Sequence, residues 1–436
     1  MKGECFIMKK IINKKEKQNG ITLIALVITI IVLLILAGIS IAMLTGQNGI
    51  LTQAQSAKTT TENKNAEEKV KLAVMSARSR SDTALLEVDK LKEEIENQGG
   101  TATNDEFPLN VAMDGKNFKI DNDGNIVISK AMNEITGDEQ TNTNTQDSLG
   151  NPIVVPAGFK VVNKDDNVTD GIVIEDVSHE ATAGSQFVWI PVGEVIKDSE
   201  GNKETIILGR YVFNEDGTVN TDLSKTEPGD QLKASSSDTY YFTEGLKDSK
   251  TLNTHAKDIA VFKSKAESNH GYYIGRYESR KNGTQVTVKA SDKVYNIITQ
   301  PDAATVSRGM YSDSNFESDL MNSYAWDTAI VFLQKFDNRA NKASLKPYSQ
   351  QNSLNTGSLA SQGTNNLEVS KQDIICNVYD MASNCYEWTT ETYGSPYSPC
   401  TRRGGLYISR YYTSSRDNEY TTTISNDISF RTLLYM

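Results

Sequence analysis

A stretch of 24 residues without a charged side chain, residues 21–44, sets the strongest limit on the fold and the location of this chain. It reads ITLIALVITIIVLLILAGISIAML, and about 20 apolar residues in a helix cross a hydrocarbon core of ~30 Å. Residues 1–20 before it carry six Lys and two Glu. Because positive charge stays on the cytoplasmic side, the pattern predicts a single membrane helix with the C-terminal part outside.

The remaining composition is that of a globular protein with more than one domain. The chain has 436 residues, of which 38% are hydrophobic and 23% are charged. A chain of this length usually forms more than one hydrophobic core. The net charge of −11 at pH 7 argues against nucleic acid as a partner, because phosphate binding needs a basic face.

The junction between the basic and the apolar segment, KKEKQNG followed by ITLIAL, resembles the class III leader of type IV prepilins. The resemblance implies that a prepilin peptidase cleaves between Gly20 and Ile21 and that the new N-terminus is methylated. The apolar helix then stays in the protein, in the membrane or packed against other pilin subunits. The family usually has Glu at the fifth mature position, where this chain has Ala25, and this favours a tip position over a repeating one. A plain membrane anchor is the alternative.

Residues 45–133 follow the pattern of a pilin-like subunit, a long helix followed by a small antiparallel sheet. The helix is predicted over residues 51–78, and a second one begins at Ser81 or Asp82 and ends before Gly99. Strand patterns occupy residues 109–111 and 118–128, and the DNDGN sequence at 121–125 predicts a hairpin turn. Residues 134–151 contain two apolar residues in eighteen and are predicted to be a polar linker.

Residues 152–436 are predicted to form an irregular α+β domain, with a helix over residues 327–336. Six segments in order resemble the formylglycine-generating-enzyme-like (sulfatase-modifying factor) family, a branch of the C-type-lectin-like fold. They are FVWIPVG (187–193), GYYIGRYES (271–279), YAWDTAIVF (324–332), NVYDMASNCYEWTTE (377–391), RRGGLY (402–407) and ISFR (428–431). The resemblance implies that fold for the domain. Ser383 and Ser429 stand where the family has Gly.

The same resemblance implies that the catalytic chemistry of the family is missing. Its oxidases bind copper through two cysteines that follow the Arg-Gly-Gly motif, and the corresponding residues here are Ser409 and Ser414. Hydroxyl groups do not replace the soft thiolates that Cu(I) prefers. We therefore expect no copper and no enzymatic activity. A histidine-rich iron site is not expected either, because the histidines are far apart in the sequence: His179, His255 and His270.

The DMASNCYEW stretch carries a calcium site in the family. Carried over, Asp380 and Glu387 would supply carboxylate oxygens, and Ser383 and Cys385 main-chain carbonyls, which suit Ca²⁺. The alternative is that the two acids only hydrogen-bond the turn and neighbouring arginines. For cysteines outside the membrane, one disulfide is expected, and the two pairings considered are Cys385–Cys400 and Cys376–Cys400.

The segment 407–420, YISRYYTSSRDNEY, has the composition of an adaptable binding surface, rich in Tyr, Ser, Asn, Asp and Arg. In the lectin-like fold this segment forms the exposed ligand face. The residues predicted to bind a ligand are Tyr407, Ser409, Arg410, Tyr411, Tyr412, Ser414, Asp417, Asn418 and Tyr420.

These features together favour a surface-displayed adhesin, a minor or tip pilin-like protein with a lectin-like head for an extracellular protein or glycan. Three alternatives stay open. They are a membrane-anchored enzyme of the same family with other chemistry, a target protein diversified by a retroelement, and a structural subunit without a specific ligand.

Overall fold

The computed structural model divides the chain into two compact units, Met1–Glu68 and Lys69–Met436. The predicted leader and most of the predicted membrane helix lie outside the residues that the structure describes. Across the described part of the chain, no helix combines the length and the apolarity needed to cross a membrane. The described residues are 30–31, 50–81, 85–102, 104–244, 256–290, 294–311, 313, 315–337, 348, 373–406 and 412–436.

The helices whose bounds the structure describes are numbered in chain order. The first, α1, is Ile50–Ser79 and agrees with the prediction over residues 51–78. The second, α2, is Val88–Asn97 and begins later than predicted, with Glu87 in an extended conformation at its N-cap and Leu91 and Ile95 buried. Ser81, one of the two predicted caps, lies before the helix and donates its hydroxyl to the carboxylate of Glu87, and Asp82, the other, lies outside the described residues. The others are α3 (Ile259–Ser268), α4 (Gln300–Arg308) and α5 (Ser323–Phe336).

A six-stranded sheet follows α2, with its strands in chain order. The hairpin predicted around residues 121–125 is confirmed, with Phe118 opposite Ile128. All neighbouring strands are antiparallel except the fourth and fifth. The strands are β1 (Thr101–Ala102), β2 (Leu109–Met113), β3 (Lys116–Ile120), β4 (Ile126–Ser129), β5 (Thr143–Gln146) and β6 (Pro152–Val155).

Residues 134–151, predicted to be a polar linker, are part of this sheet. They contain β5, which pairs with β6 through Thr145 opposite Ile153, and they bury Ile135. Their polar side chains form structure by local hydrogen bonding instead of apolar burial. Asp147, buried, accepts hydrogen bonds from the backbone N–H of Asn151 at 2.8 Å and of Val168 at 2.8 Å.

The remaining strands, β7 to β23, build two larger sheets and three two-stranded pairs. Their bounds are β7 (Phe159–Val161), β8 (Val173–Asp176), β9 (Gln186–Pro191), β10 (Gly193–Ile196), β11 (Lys203–Ile206), β12 (Phe242–Thr243), β13 (Gly271–Gly275), β14 (Arg280–Asn282), β15 (Gln285–Thr287), β16 (Glu317–Leu320), β17 (Ile374–Ile375), β18 (Val378–Tyr379), β19 (Tyr386–Tyr393), β20 (Cys400–Arg403), β21 (Arg416–Glu419), β22 (Ile428–Phe430) and β23 (Thr432–Tyr435).

One large sheet has the order β16-β23-β13-β9-β8-β7, and the other has the order β12-β19-β20-β21, with β22 parallel to β19. Trp189, Trp326 and Trp388 are fully buried in one continuous core that also contains the apolar face of α5. Asn322 caps α5, because its side chain accepts from the backbone N–H of Ala325. The described residues thus form a mixed α+β fold with mainly antiparallel sheets, as predicted at that level.

Candidate functional site

The predicted ligand-binding segment, residues 407–420, contains β21, which lies at the edge of the described β12-β19-β20-β21 sheet. Arg416 lies opposite Arg403, and Glu419 lies opposite Cys400. Tyr412 and Tyr420 are 40% and 58% exposed. Ser414, Asp417 and Asn418 are half-buried. Tyr407, Ser409, Arg410 and Tyr411 lie outside the described residues.

The described members of this segment do not form one cluster. Tyr412 and Ser414 precede β21, whereas Tyr420 follows it. Four strand residues at ~3.4 Å each separate the two ends by roughly 14 Å. Asp417 is bound by Arg402, with the Nη2 atom of Arg402 at 2.6 Å. The side chain of Asn418 donates to the hydroxyl of Ser398 at 2.5 Å. The two strand residues are therefore held by neighbours on β20 and in the connection that precedes it.

Buried side chains hold the backbone before β21 in place by hydrogen bonds. The indole N–H of Trp326 donates to the carbonyl of Thr413 at 3.0 Å, and the Nε–H of Arg403 donates to the carbonyl of Ser415 at 2.8 Å. The backbone N–H of Tyr412 donates to the hydroxyl of Ser415 at 2.9 Å. The side chain of Tyr412 is thus exposed on a backbone that several hydrogen bonds hold in place.

Beneath this segment lies a group of ionic side chains that we call the buried arginine cluster. Its five side chains are each at most 1% exposed and join α5 to β19, β20 and β21. The nitrogen-to-oxygen distances are 2.5 Å for Arg403 to Asp327 and 3.0 Å for both Arg416 and Arg210 to Glu391, and Arg416 also donates to Asp327.

The electrostatics of the buried arginine cluster favour the charged form of Glu391. Burial raises its pKa, but the guanidinium groups of Arg416, Arg210 and Arg403 outweigh this and hold the pKa below its usual value. A buried charge of this kind is tolerated only with its partners, so each member fixes the position of the others.

Glu244 lies beside this cluster in a different electrostatic environment. Its carboxylate accepts from the backbone N–H and the hydroxyl of Ser323, each at 3.0 Å, and from the hydroxyl of Thr390 at 2.9 Å. Burial raises its pKa to about 7, against the hydrogen bonds from Ser323, and the charge of Glu391 adds to the rise. Glu244 is thus a buried acid that changes its charge near neutral pH.

Of the residues predicted to bind calcium, Asp380, Ser383 and Cys385 lie in the turn before β19, and Glu387 lies on β19 itself. The Nη2 and Nε atoms of Arg431 lie 2.6 and 3.1 Å from the two carboxylate oxygens of Glu387. The hydroxyl of Ser383 donates to Asp373 at 3.0 Å, and Asp380 has φ +59°. Over the residues that are described, no group of three or more His, Cys, Asp or Glu side chains is arranged to hold a metal ion. Calcium binding stays a prediction. Cys385, one of its four predicted ligands, is buried.

The predicted disulfide is not formed. Cys376, Cys385 and Cys400 are all free and buried. They lie in separate surroundings, because Cys400 is paired in β20 with Thr392 and Glu419, Cys385 packs on Val294, and the thiol of Cys376 donates to a backbone carbonyl at 3.3 Å. Burial raises the pKa of Cys400 to about 12 and that of Cys385 well above its usual value. Protonated, enclosed thiols are poor nucleophiles and poor metal ligands.

His179 is held by a carboxylate and by aromatic rings. Its Nδ1 atom lies 2.9 Å from the carboxylate of Asp176, and its ring contacts those of Phe159, Tyr311 and Phe316.

The buried arginine cluster was not predicted from the sequence. A signal for part of it was present, because Asp327 interrupts the apolar helix pattern YAWDTAIVF, and a buried acid needs a basic partner. The identity of the partners could not be predicted, since Arg210 and Glu391 are 181 residues apart.

Comparisons with known proteins add no family. No protein-family model matches the chain. No curated protein is significantly similar to it. One solved structure, described as a crystal structure of CarF, aligns with 57% of this chain and 97% of its own, at 15% identity and a TM-score of 0.30. A similarity this low carries no conclusion about fold or function.

Proposed function

We propose that this chain is a surface-displayed binding protein. Its N-terminal apolar helix anchors it in the membrane, or in a pilus as a minor or tip subunit, after cleavage between Gly20 and Ile21. Residues 152–436 form a catalytically inactive head of C-type-lectin-like, formylglycine-generating-enzyme-like fold. The observation that carries the binding role is the exposure of Tyr412 beside a backbone that accepts hydrogen bonds from buried side chains.

Such an arrangement suits recognition for a physical reason. A binding surface loses affinity when its backbone must become ordered on contact, and a pre-ordered backbone avoids that cost. Tyr offers a large amphipathic area with few rotatable bonds, and Ser and Asn adapt their hydrogen bonds to the partner. Here the sheet and the buried arginine cluster supply the rigid part, and Tyr412 supplies the exposed side chain.

The lectin-like assignment is supported by contacts among the six sequence segments that resemble the family. Each segment has a residue that pairs with a residue of another segment, and all six contribute side chains to one hydrophobic core. The pairs are Trp189 with Tyr273, Asp327 with Arg403, and Glu387 with Arg431.

The enzymatic alternative has less support. Ser414, at one of the two copper-ligand positions of the family, is a hydroxyl residue, and Cys385 and Cys400 are buried with raised thiol pKa values. Full-length protein loaded with Cu(I) should therefore form no aldehyde on a cysteine-containing peptide. Aldehyde formation would favour the enzyme.

The binding role is tested with the full-length protein on an array of extracellular-matrix proteins and glycans. The expected result is a specific signal that Tyr412→Ala weakens by tenfold or more at an unchanged melting temperature. Tyr412→Phe is the matched control for the ring. A signal that is unchanged in Tyr412→Ala would show that this segment is not part of the binding site. No signal at all would favour a structural subunit.

A further inference from the structure

We propose that the end of the β12-β19-β20-β21 sheet that lies away from Tyr412 binds an uncharged oligosaccharide chain. This proposal rests on the proposed binding function and adds to it a second surface, away from Tyr412, with its own ligand class. The surface, which we call the tyrosine end, consists of four tyrosines with exposures of 42%, 41%, 79% and 58%. They are Tyr240, Tyr241, Tyr397 and Tyr420.

The strand register brings these tyrosines to one end of the sheet. β12 begins where β19 ends, because Phe242 lies opposite Tyr393, and Tyr240 and Tyr241 immediately precede it. Tyr397 lies in the connection from β19 to β20. The end of β21 lies beside the start of β20, so Tyr420 follows at the same end. Three strand spacings of about 4.8 Å give the row a width of ~14 Å.

Direct contacts fix this arrangement. The rings of Tyr240 and Tyr393 meet edge to face at 5.5 Å between centroids. The backbone N–H of Gly394 donates to the carbonyl of Tyr241 at 2.8 Å, which ties β12 to the connection that contains Tyr397. The hydrogen bond from Asn418 to Ser398 ties β21 to the same connection. The four tyrosines are therefore presented by a fixed framework.

The charges at the tyrosine end do not favour an ionic ligand of either sign. The Nζ atom of Lys233 lies 5.2 Å from the ring centroid of Tyr241. Arg402 lies 2.6 Å from Asp417 and 3.2 Å from Glu419. Asp238, two residues before Tyr240 in the sequence, brings the local sum to two basic and three acidic groups. A nearly neutral surface with phenol hydroxyl groups fits an uncharged, hydroxyl-rich partner.

The four tyrosines alone expose less area than a folded protein partner needs. If a tyrosine offers about 200 Å², the four exposed fractions amount to roughly 440 Å². A stable protein interface needs about 800 Å² from each partner. Exposed tyrosine rings can instead stack on the apolar C–H faces of sugar rings, while their phenol hydroxyls offer hydrogen-bonding groups.

The test measures binding of the full-length protein to maltohexaose, cellohexaose and chitohexaose immobilised on a sensor surface. We expect at least one to bind, with an affinity that changes by less than twofold between 50 and 500 mM NaCl, because no ion pair is involved. Tyr397→Ala and Tyr420→Ala should each weaken binding by tenfold or more, whereas Tyr397→Phe, which keeps the ring, should stay within twofold.

The outcomes separate this proposal from the proposed function. Binding that Tyr397→Ala and Tyr420→Ala leave intact overturns the proposal, and so does the absence of binding to all three oligosaccharides. If Tyr412→Ala alone abolishes binding, the tyrosine end is wrong, but the binding function through the segment before β21 stands. Tyr397 is 79% exposed, so its substitution should leave the melting temperature unchanged, and a loss of binding can be read directly.

Discussion

Arg403 and Arg416 can be buried without a large cost only because Asp327 and Glu391 are buried with them. Desolvation of a guanidinium group costs several kcal/mol unless a carboxylate compensates it. The segment before β21 therefore depends on α5 and β19 through side chains that never reach the surface.

Removal of one acid from this cluster should destabilise the protein strongly. We expect Asp327→Ala to lower the free energy of unfolding by about 3–5 kcal/mol, since two arginines then lose a buried partner. Urea denaturation of the purified protein measures this. The matched control is Glu194→Ala, which breaks an exposed pair with Lys203 and should cost less than ~1 kcal/mol. Equal effects of the two substitutions would contradict the role of the cluster.

Glu244 predicts a pH dependence of stability. Because its folded pKa of about 7 lies above the ordinary value of 4.5, the folded state holds its proton more tightly than the unfolded state. The free energy of unfolding should therefore fall as pH rises from about 4.5 to 7, by on the order of 3 kcal/mol, and then level off.

The measurement is the melting temperature of wild type and Glu244→Gln between pH 5 and 8. The variant should lose less stability over this range, because its side chain does not ionise. Glu200→Gln, on an exposed turn, should follow the wild-type curve. Identical curves for wild type and Glu244→Gln would contradict the raised pKa.

At the scale of elements, one turn recurs in three hairpins. The sequence D-x-x-G-N occurs at 121–125, 147–151 and 198–202 and closes β3–β4, β5–β6 and β10–β11. Each Asp accepts from the backbone N–H of the Asn four residues later, at 2.8, 2.8 and 3.1 Å, and from its amide nitrogen, at 2.7, 2.9 and 2.9 Å. The glycines have φ of +73°, +93° and +79°.

This turn yields a prediction for Gly150. A Cβ atom there would meet nothing within 4 Å, so the cost of Gly150→Ala comes from its φ of +93° alone. We expect a loss of about 1–2 kcal/mol in the free energy of unfolding by urea. The control is Gly309→Ala, at φ −83° with its nearest contact at an ordinary 3.4 Å, which should be neutral or stabilising. A neutral Gly150→Ala would contradict the turn geometry.

The three turns also explain what sequence patterns could and could not predict. The hairpin at 121–125 was predictable because apolar alternation flanks it on both sides. The hairpin at 147–151 has the same turn, but β5 is the polar sequence TNTQ, and its strand pairing depends on β6 and on the buried Asp147. A run of good helix formers predicted α1, and the apolar pattern of residues 327–336 predicted α5 except for its first turn, which begins at Ser323. The partners of the buried arginines required contacts over long sequence separations, which no local pattern contains.

At the scale of the whole molecule, residues before 152 contribute to the core of the C-terminal part. Met132 and Ile135 belong to the same hydrophobic cluster as Trp189, and the side chain of Asn142 donates to the carbonyl of Asn315 at 2.6 Å. A boundary at residue 152 therefore separates groups that pack together.

This packing predicts the effect of truncation. A chain that starts at residue 69 should melt at a clearly higher temperature than one that starts at residue 152, which loses β5 and the buried Ile135. The difference should exceed 5 °C in a thermal scan at equal protein concentration, since a lost core side chain costs 2–5 kcal/mol. Equal melting temperatures would indicate that residues 134–151 act only as a linker.

Display at the cell surface is the central claim, and the N-terminus of the protein recovered from intact cells tests it most directly. Mass spectrometry should find Ile21, methylated, as the first residue, and protease added outside the cells should release peptides from residues 152–436. An N-terminus at Met1 or beyond Leu44, or a C-terminal part that external protease cannot reach, would contradict the prepilin-type, surface-displayed protein proposed here.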